Sequence, residues 1–424
     1  MPQAPAGRAD TAPQALSAGF VRAYAAMWVL GLGFLWWPLL LLRTLGVRRR
    51  SRPPQFLPAA IVLCLALSLL VAVLRGAEFG RVLGAGYNIV VWVSLLALTT
   101  VTIDWRSLSR GIAQLAGLQS IAVLVALATH PLLSELRLPA AYVLPGAIAS
   151  DPAFESFTTV RLVRVDYFGE TVLRAAGFFG NSTWAGALAA LGILVTPALL
   201  RGASRRAVLG YGALLALDAV TLYLSYSRNT WLGLAAAAVA AGVLVLWRRQ
   251  QWYLLTALAA TTVGAAVYVI STVDFTELFA NVNSVREGSL DARTAIYSLT
   301  WQAVVDSPFP LLGSGVKERV PGLVASLGTH GTYLGLLYRG GWLAVVLLVL
   351  WLGLLALRAW RAGTPLALGG VVFATVWFVA EDLDAGHLAP LGLVVALAVL
   401  GGGTGSRSSV SRDSPRSVVE LPTP

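Results

Sequence analysis

Cysteine is almost missing from this chain. Cys64 is the single one among 424 residues, so neither an intramolecular disulfide nor a cysteine-based zinc cluster can form. Lysine is as scarce, with Lys317 alone, and charged residues reach only 12%, about half of what soluble domains carry. The first twenty residues have neither the basic stretch nor the apolar run of a cleavable signal, so the first helix is expected to act as the signal itself. Repeats of solenoid length are absent too. What the chain does have is apolar side chains: 57% of residues are hydrophobic and the mean hydropathy is +0.75. That is more than a water-soluble core can hide, and it implies a polytopic membrane protein.

Apolar runs near the spanning length of about 20 residues fall at 22–42, 56–74, 87–103, 111–129, 182–200, 207–226, 231–247, 252–270, 332–357, 365–380 and 388–402. The expectation is an all-α polytopic membrane protein of about eleven, at most twelve, transmembrane helices. Residues 1–21 would form an N-terminal tail, 22–402 one membrane domain and 403–424 a disordered cytoplasmic tail rich in Gly, Ser, Arg and Pro. The net charge of +11 need not mean nucleic acid. Its arginines sit in short clusters in alternate linkers, from Arg43 and Arg48 through Arg106, Arg201, Arg248 and Arg358 to Arg407, the bias of cytoplasmic loops. The long segments 130–180 and 271–331 then face outward. This assignment leaves the N-terminus outside, unless Gly31-Leu32-Gly33 and Pro38 turn the first run into a re-entrant pair with the N-terminus inside.

Within 271–331, apolar side chains recur at helical spacing from Ile296 to Val304. The pattern predicts a surface helix over 291–306, capped by Asp291, with Arg293 in its first turn and a stop at Ser307-Pro308-Phe309-Pro310.

Few residues can carry chemistry in such a chain. His330 stands where this polar segment re-enters an apolar helix. Thr329 or Thr332 could cap that helix, and its positive N-terminus would favour a neutral, proton-accepting imidazole. The plain alternative is a loop histidine without a role. Arg228 lies in the short polar break Ser225-Tyr226-Ser227-Arg228-Asn229. It is either an anchor at a helix end or a cation waiting for a phosphate. Arg293 could be an ordinary surface arginine. Arg339 falls nearly two turns inside a helix and needs a carboxylate, a carbonyl or a ligand as its partner. Arg174 adds a cation at another helix entrance. Asp218, mid-helix, must face the bundle interior and would suit a proton-coupled transporter. Glu381, Asp382, Asp384 and His387 contain a D-x-D that could hold a divalent cation on a sugar donor, but the cluster reads more simply as a solvated loop.

Four stretches, in order, resemble the O-antigen ligase and O-antigen polymerase superfamily of bacterial envelope proteins. They are Arg174 to Asn181 before a helix; Ser225 to Trp231; Asp291-Ala292-Arg293 through Trp301 to Asp306-Ser307-Pro308-Phe309-Pro310-Leu311-Leu312-Gly313-Ser314-Gly315; and Thr329-His330-Gly331-Thr332-Tyr333-Leu334. Together they cover about residues 174–345. The chain departs at Gly331, where the family has Asn or Ser, and its helix count is one short of twelve. The resemblance implies a metal-independent glycosyltransferase without cofactor, and direct attack with no carboxylate nucleophile predicts inversion at the anomeric carbon. Its donor would be a glycan on undecaprenyl diphosphate and its acceptor another glycan, a lipid or a protein, at the outer face of the cytoplasmic membrane. On this resemblance His330 is the catalytic base and Arg228 and Arg293 hold the diphosphate. Arg174, Arg339, Tyr333 and Asn181 are expected around the substrate. The competing classes are a secondary transporter built on Asp218 and a non-catalytic envelope scaffold.

Overall fold

Lipid offers no hydrogen-bond partners, so each apolar run has to satisfy its own backbone, and a helix does this within one segment. The computed structural model describes residues 16–47, 55–130, 132–133, 135–146, 158–164, 174–179, 181–272, 287–323, 325–383 and 387–402. In chain order the helices are α1 (Ala18–Val29), α2 (Trp36–Leu45), α3 (Phe56–Leu74), α4 (Phe79–Leu98), α5 (Trp105–Thr129), the single turn α6 (Ala140–Val143), α7 (Ser182–Leu200) and α8 (Arg205–Leu224). They continue with α9 (Arg228–Arg248), α10 (Trp252–Thr272), α11 (Glu287–Val305), α12 (Thr332–Ala362), α13 (Pro365–Ala380) and α14 (Leu391–Gly402). Among the described residues seven of these, α3, α4, α5, α7, α8, α9 and α12, are long and apolar enough to cross a membrane; α2, α13 and α14 are shorter apolar helices. The expected all-α membrane bundle is what the chain forms. The predicted disordered tail at 403–424 lies outside the described residues.

The first apolar run is not one span. The amide of Ala18 donates to Ser107 Oγ (3.0 Å) at the start of α5, and twelve residues later the carbonyl of Leu30 accepts from Ala140 N (3.0 Å) at the other end of the bundle. The chain then turns and descends as α2 beside α4, where Tyr87 donates to the Phe34 carbonyl and Ser94 to that of Trp37 (3.2 Å). Pro38 sits in the first turn of α2, where its missing N–H costs nothing. Residues 18 and 45 therefore share one end, which corrects the expectation of a single first span and selects the hairpin alternative.

Helices α5, α7, α13 and α14 form the centre, with α1 and α8 against α5, and α3 and α4 completing a second wall beside α12. Small residues allow close approach where lipid supplies no hydrophobic drive. Gly111 of α5 meets Ala18 and Val21 of α1, and Gly370 of α13 meets Gly392 of α14.

The long helix α12 is broken, and the break explains the glycine-rich segment before it. At Gly341 the backbone leaves helical geometry (φ 72°, ψ −175°), a region only glycine visits freely. The carbonyls of Tyr338 and Arg339 lose their helical partners and accept instead from Ser314 N (2.7 Å) and Gly315 N (3.0 Å); the amides of Trp342 and Leu343 donate to the carbonyls of Pro310 (3.0 Å) and Leu311 (3.4 Å). Residues 310–315 are thus spliced into the helix. Each of these four groups, left buried without a partner, would cost roughly 2–7 kcal/mol. A Cβ at Gly313 or Gly315 would run into the backbone of Tyr338–Gly341 or of Ser68, so the Gly-x-Gly spacing is set by close approach.

The two ends of the bundle differ. One carries Arg43, Arg106, Arg201, Arg205, Arg248 and Arg358 at helix termini, with Asp104, the cap of α5, as the one acid described there. The other carries α11, the 309–331 segment and two short antiparallel pairings, β1 (Glu135–Arg137) with β2 (Thr159–Arg161) and β3 (Val163–Arg164) with β4 (Arg174–Ala175).

Candidate active site

Two distant parts of the sequence attach to one turn, the C-terminal turn of α13. Asn229, next to Arg228 at the start of α9, donates from Nδ2 to the Trp377 carbonyl (2.8 Å). Thr332, two residues after His330, donates to the Glu381 carbonyl (2.8 Å). Between them, Gly331 lies so close to α13 that a Cβ there would come within 2.7 Å of the Val379 carbonyl. An Asn or Ser at this position, the residues expected from the resemblance, would meet that carbonyl.

The segment bearing His330 is held from the other side by α11. Tyr297 donates from its hydroxyl to the His330 carbonyl (2.7 Å), and Thr300 Oγ1 accepts from Gly328 N (3.0 Å). Burial raises the Tyr297 pKa above its ordinary value, Arg293 one turn earlier opposes that shift, and Glu381 adds to it. Arg293, Tyr297, His330 and Glu381 therefore share one electrostatic neighbourhood. His330 itself has a left-handed backbone (φ 64°), which costs a residue other than glycine roughly 1–2 kcal/mol. Strain of this kind at a loop histidine marks a position held by its surroundings.

The Arg228 turn shows the same habit. Tyr226 also has positive φ (49°), and Ser227 N donates to Ser225 Oγ (3.2 Å) while the hydroxyls of Ser227 and Thr230 share a bond (2.7 Å). Arg228 emerges from this buried serine-threonine knot with its side chain exposed. Arg174, on β4, reaches the carbonyl of Ser225 with Nε (3.4 Å) and Nη2 (3.2 Å), which brings it to the same turn.

Arg339 has the carboxylate its depth demands. Its Nη2 lies 3.3 Å from Asp382 Oδ1 and its Nε donates to the Gly335 carbonyl (3.2 Å). Lys317 pairs with Asp382 Oδ2. Both Arg339 and Asp382 side chains are 4% exposed, and Lys317 16%. The acidic cluster is therefore not a solvated loop: Glu381, Asp382 and His387 are buried, with His387 packed between the rings of Trp184 (4.4 Å) and Trp377 (5.0 Å). Asp384 lies outside the described residues.

The expected helix caps change, and the other side chains take their places around them. Neither threonine caps α12: its N-cap is Gly331, Thr332 is turned to α13, and Thr329 donates to the Ser326 carbonyl. The surface helix begins at Glu287, ahead of Asp291, so Asp291 is not its cap and Arg293 lies in its second turn. Asn181 caps α7 with Oδ1, accepting from Thr183 N (2.9 Å) and Thr183 Oγ1 (2.7 Å). Tyr333 ties α12 to α13 through the Thr375 carbonyl (3.1 Å). Asp218 is fully buried and accepts from Ser120 of α5 (2.8 Å), with Gly192 of α7 packed on its other oxygen. Sequence reasoning missed Lys317, although its being the single lysine was a signal, and it missed Tyr297 as the support of His330.

Seven described helices long and apolar enough to span, with the Arg228 turn and the His330 segment bonded to one helix end, define a multi-pass membrane protein. Residues 213–349 match the O-antigen ligase family, which supports placing the chain in the O-antigen ligase and polymerase superfamily, as the motifs suggested. The matched segment contains Arg228, Arg293, His330, Arg339 and the splice, while Arg174 and Asp382 fall outside it. It supports glycosyltransferase activity of the O-antigen ligase or polymerase kind and a place in polysaccharide biosynthesis. No curated protein matches the chain.

Proposed function

We propose that this protein transfers a glycan from an undecaprenyl-diphosphate donor to an acceptor hydroxyl at the outer face of the cytoplasmic membrane. The observation that carries this reading is the shared C-terminal turn of α13, to which both the Arg228 turn and the His330 segment are bonded, with Arg293 brought in through Tyr297.

In the reaction His330 takes the proton of the acceptor hydroxyl as its oxygen attacks the anomeric carbon. The bond from that carbon to the diphosphate breaks, and the diphosphate leaves with the electron pair. Arg228 and Arg293 hold the charge that builds on it, a stabilisation that grows toward the transition state. One displacement without a carboxylate nucleophile inverts the anomeric centre. Arg174 shapes the Arg228 turn, and Arg339, Tyr333 and Asn181 act through the scaffold. Asp382 has its carboxylate engaged by Lys317 and Arg339, which supports a mechanism that does not use it as a metal ligand. The outward placement rests on the arginine-rich opposite end.

The test is transfer from undecaprenyl-diphosphate glycan by purified wild type and by His330→Ala, Arg228→Ala and Arg293→Ala, with chelator present. Each variant is expected to lose at least about a hundredfold in rate. Retained transfer in all three, or loss of wild-type transfer on chelation, would overturn the proposal.

A further inference from the structure

The arginine-rich end, remote from the site above, contains a cleft of about 450 Å³ between α3, α12 and α14. Its walls divide by polarity along the bundle axis. Arg358, Arg361 and the side chain of Gln55 lie at the helix ends; Leu355 lies about one turn deeper on α12, and Leu397 and Leu400 line the cleft from α14. Arg358 and Arg361 are three residues apart on one helix, so their guanidinium groups face the same way. Both are exposed, and neither makes an ion pair among the described residues. Gln55 Oε1 accepts from the Trp351 indole (2.8 Å), which fixes the amide at the rim and leaves its N–H₂ as a neutral donor.

A second feature sets the height of this rim. Trp247 meets Trp252 (4.6 Å) and Trp360 (5.9 Å) at the same end, and tryptophans cluster where a bilayer passes from acyl chains to headgroups. Arg248 is bonded from there to the carbonyls of Trp360 and Arg361. The cleft therefore opens at headgroup level, with cations outermost and leucines inward, and among the described residues no acid lines it.

We infer that the cleft binds an acidic phospholipid, its phosphate against Arg358 and Arg361 and the start of an acyl chain along Leu355, Leu397 and Leu400. Arginine suits a phosphate because its planar fork gives paired hydrogen bonds, and basic pockets between membrane helices take anionic headgroups for this reason. A free phosphate would use the arginines and leave the leucine wall wet. A zwitterionic lipid would bring its own cation against two others.

The test uses the purified full-length protein and native mass spectrometry with phosphatidylglycerol and phosphatidylcholine of identical chains. The wild type should retain phosphatidylglycerol several-fold better. The variant Arg358→Gln/Arg361→Gln should bring that ratio close to one, while Arg205→Gln/Arg206→Gln, a pair at the same end but off the cleft, should leave it unchanged. Leu397→Trp, which fills the apolar wall and keeps both charges, should also abolish retention. Melting in phosphatidylcholine nanodiscs at the wild-type temperature shows that each variant is folded. An equal ratio in the wild type, equal losses in both arginine pairs, or displacement of the lipid by millimolar inorganic phosphate would each overturn the inference. The first points to no site, the second to diffuse charge and the third to a bare anion site.

Discussion

Replacing Gly341 by alanine tests the splice in α12 directly. The residue sits at φ 72° and ψ −175°, a conformation that costs another residue of order 1–3 kcal/mol. The new methyl would also be driven into the carbonyl of Leu311 and the amide of Leu312, and overpacking of a filled interior typically costs 1–3 kcal/mol. Together the two effects predict a loss of about 2–6 kcal/mol. If the spliced segment yields, the bonds to Pro310, Leu311, Ser314 and Gly315 go with it. The control lies in the same helix: Gly353 has nothing within 4 Å of its ideal Cβ, so Gly353→Ala should be neutral or gain up to about 1 kcal/mol from helix propensity. Equilibrium unfolding of the two variants in one detergent reads both signs at once. Should Gly341→Ala unfold within about 0.5 kcal/mol of the wild type, the splice is not what holds α12 open and the account of the Gly-x-Gly segment is wrong.

Other perturbations have distinct signatures. Asp382→Ala removes the carboxylate beside the buried Arg339 and should destabilise by about 3–5 kcal/mol, visible as a lowered midpoint in the same unfolding assay; an unchanged midpoint would show that the trio is not a network. His330→Gly relieves a left-handed backbone while removing the imidazole, so thermal stability should hold or rise as transfer disappears; a variant that melts early would mean that the side chain is structural. Tyr297→Phe should cost about 1 kcal/mol for its bond to the His330 carbonyl. The raised Tyr297 pKa sets the sign with pH: the neutral phenol contributes in full below about pH 10, its ordinary pKa, and that contribution declines as pH rises toward the folded value. Wild type should therefore lose stability faster than Tyr297→Phe in melts taken between pH 9 and 11, and parallel curves would refute the assignment.

Much of the bundle was legible because hydrophobic runs leave the backbone of a membrane segment no choice but helix. The bounds of α3, α7 and α13 follow their runs closely. The break at Gly341 was not legible, since residues on both sides are apolar and the partners that replace its lost hydrogen bonds lie some thirty residues earlier. The first run showed its glycines and Pro38, but choosing between one span and a hairpin needed the contacts of Ala18 and Leu30. At the candidate site, residue types and spacing singled out His330, Arg228 and Arg293. Their supports, the hydroxyl of Tyr297 and the end of α13, depend on contacts across more than thirty positions that spacing cannot encode. Asp382 looked solvated because it follows an apolar helix within a short acidic stretch, and only its burial beside Arg339 and Lys317 shows otherwise.

The common anchorage on α13 also limits what motion can accomplish. Were that helix to slide or tilt, Asn229 and Thr332 would ride on it as passengers, so the spacing between the histidine segment and the neighbouring arginine would survive the displacement. Helix α11 takes hold elsewhere: Tyr297 and Thr300 bond to the histidine segment, while Trp301 and Val304 pack on the first half of α12.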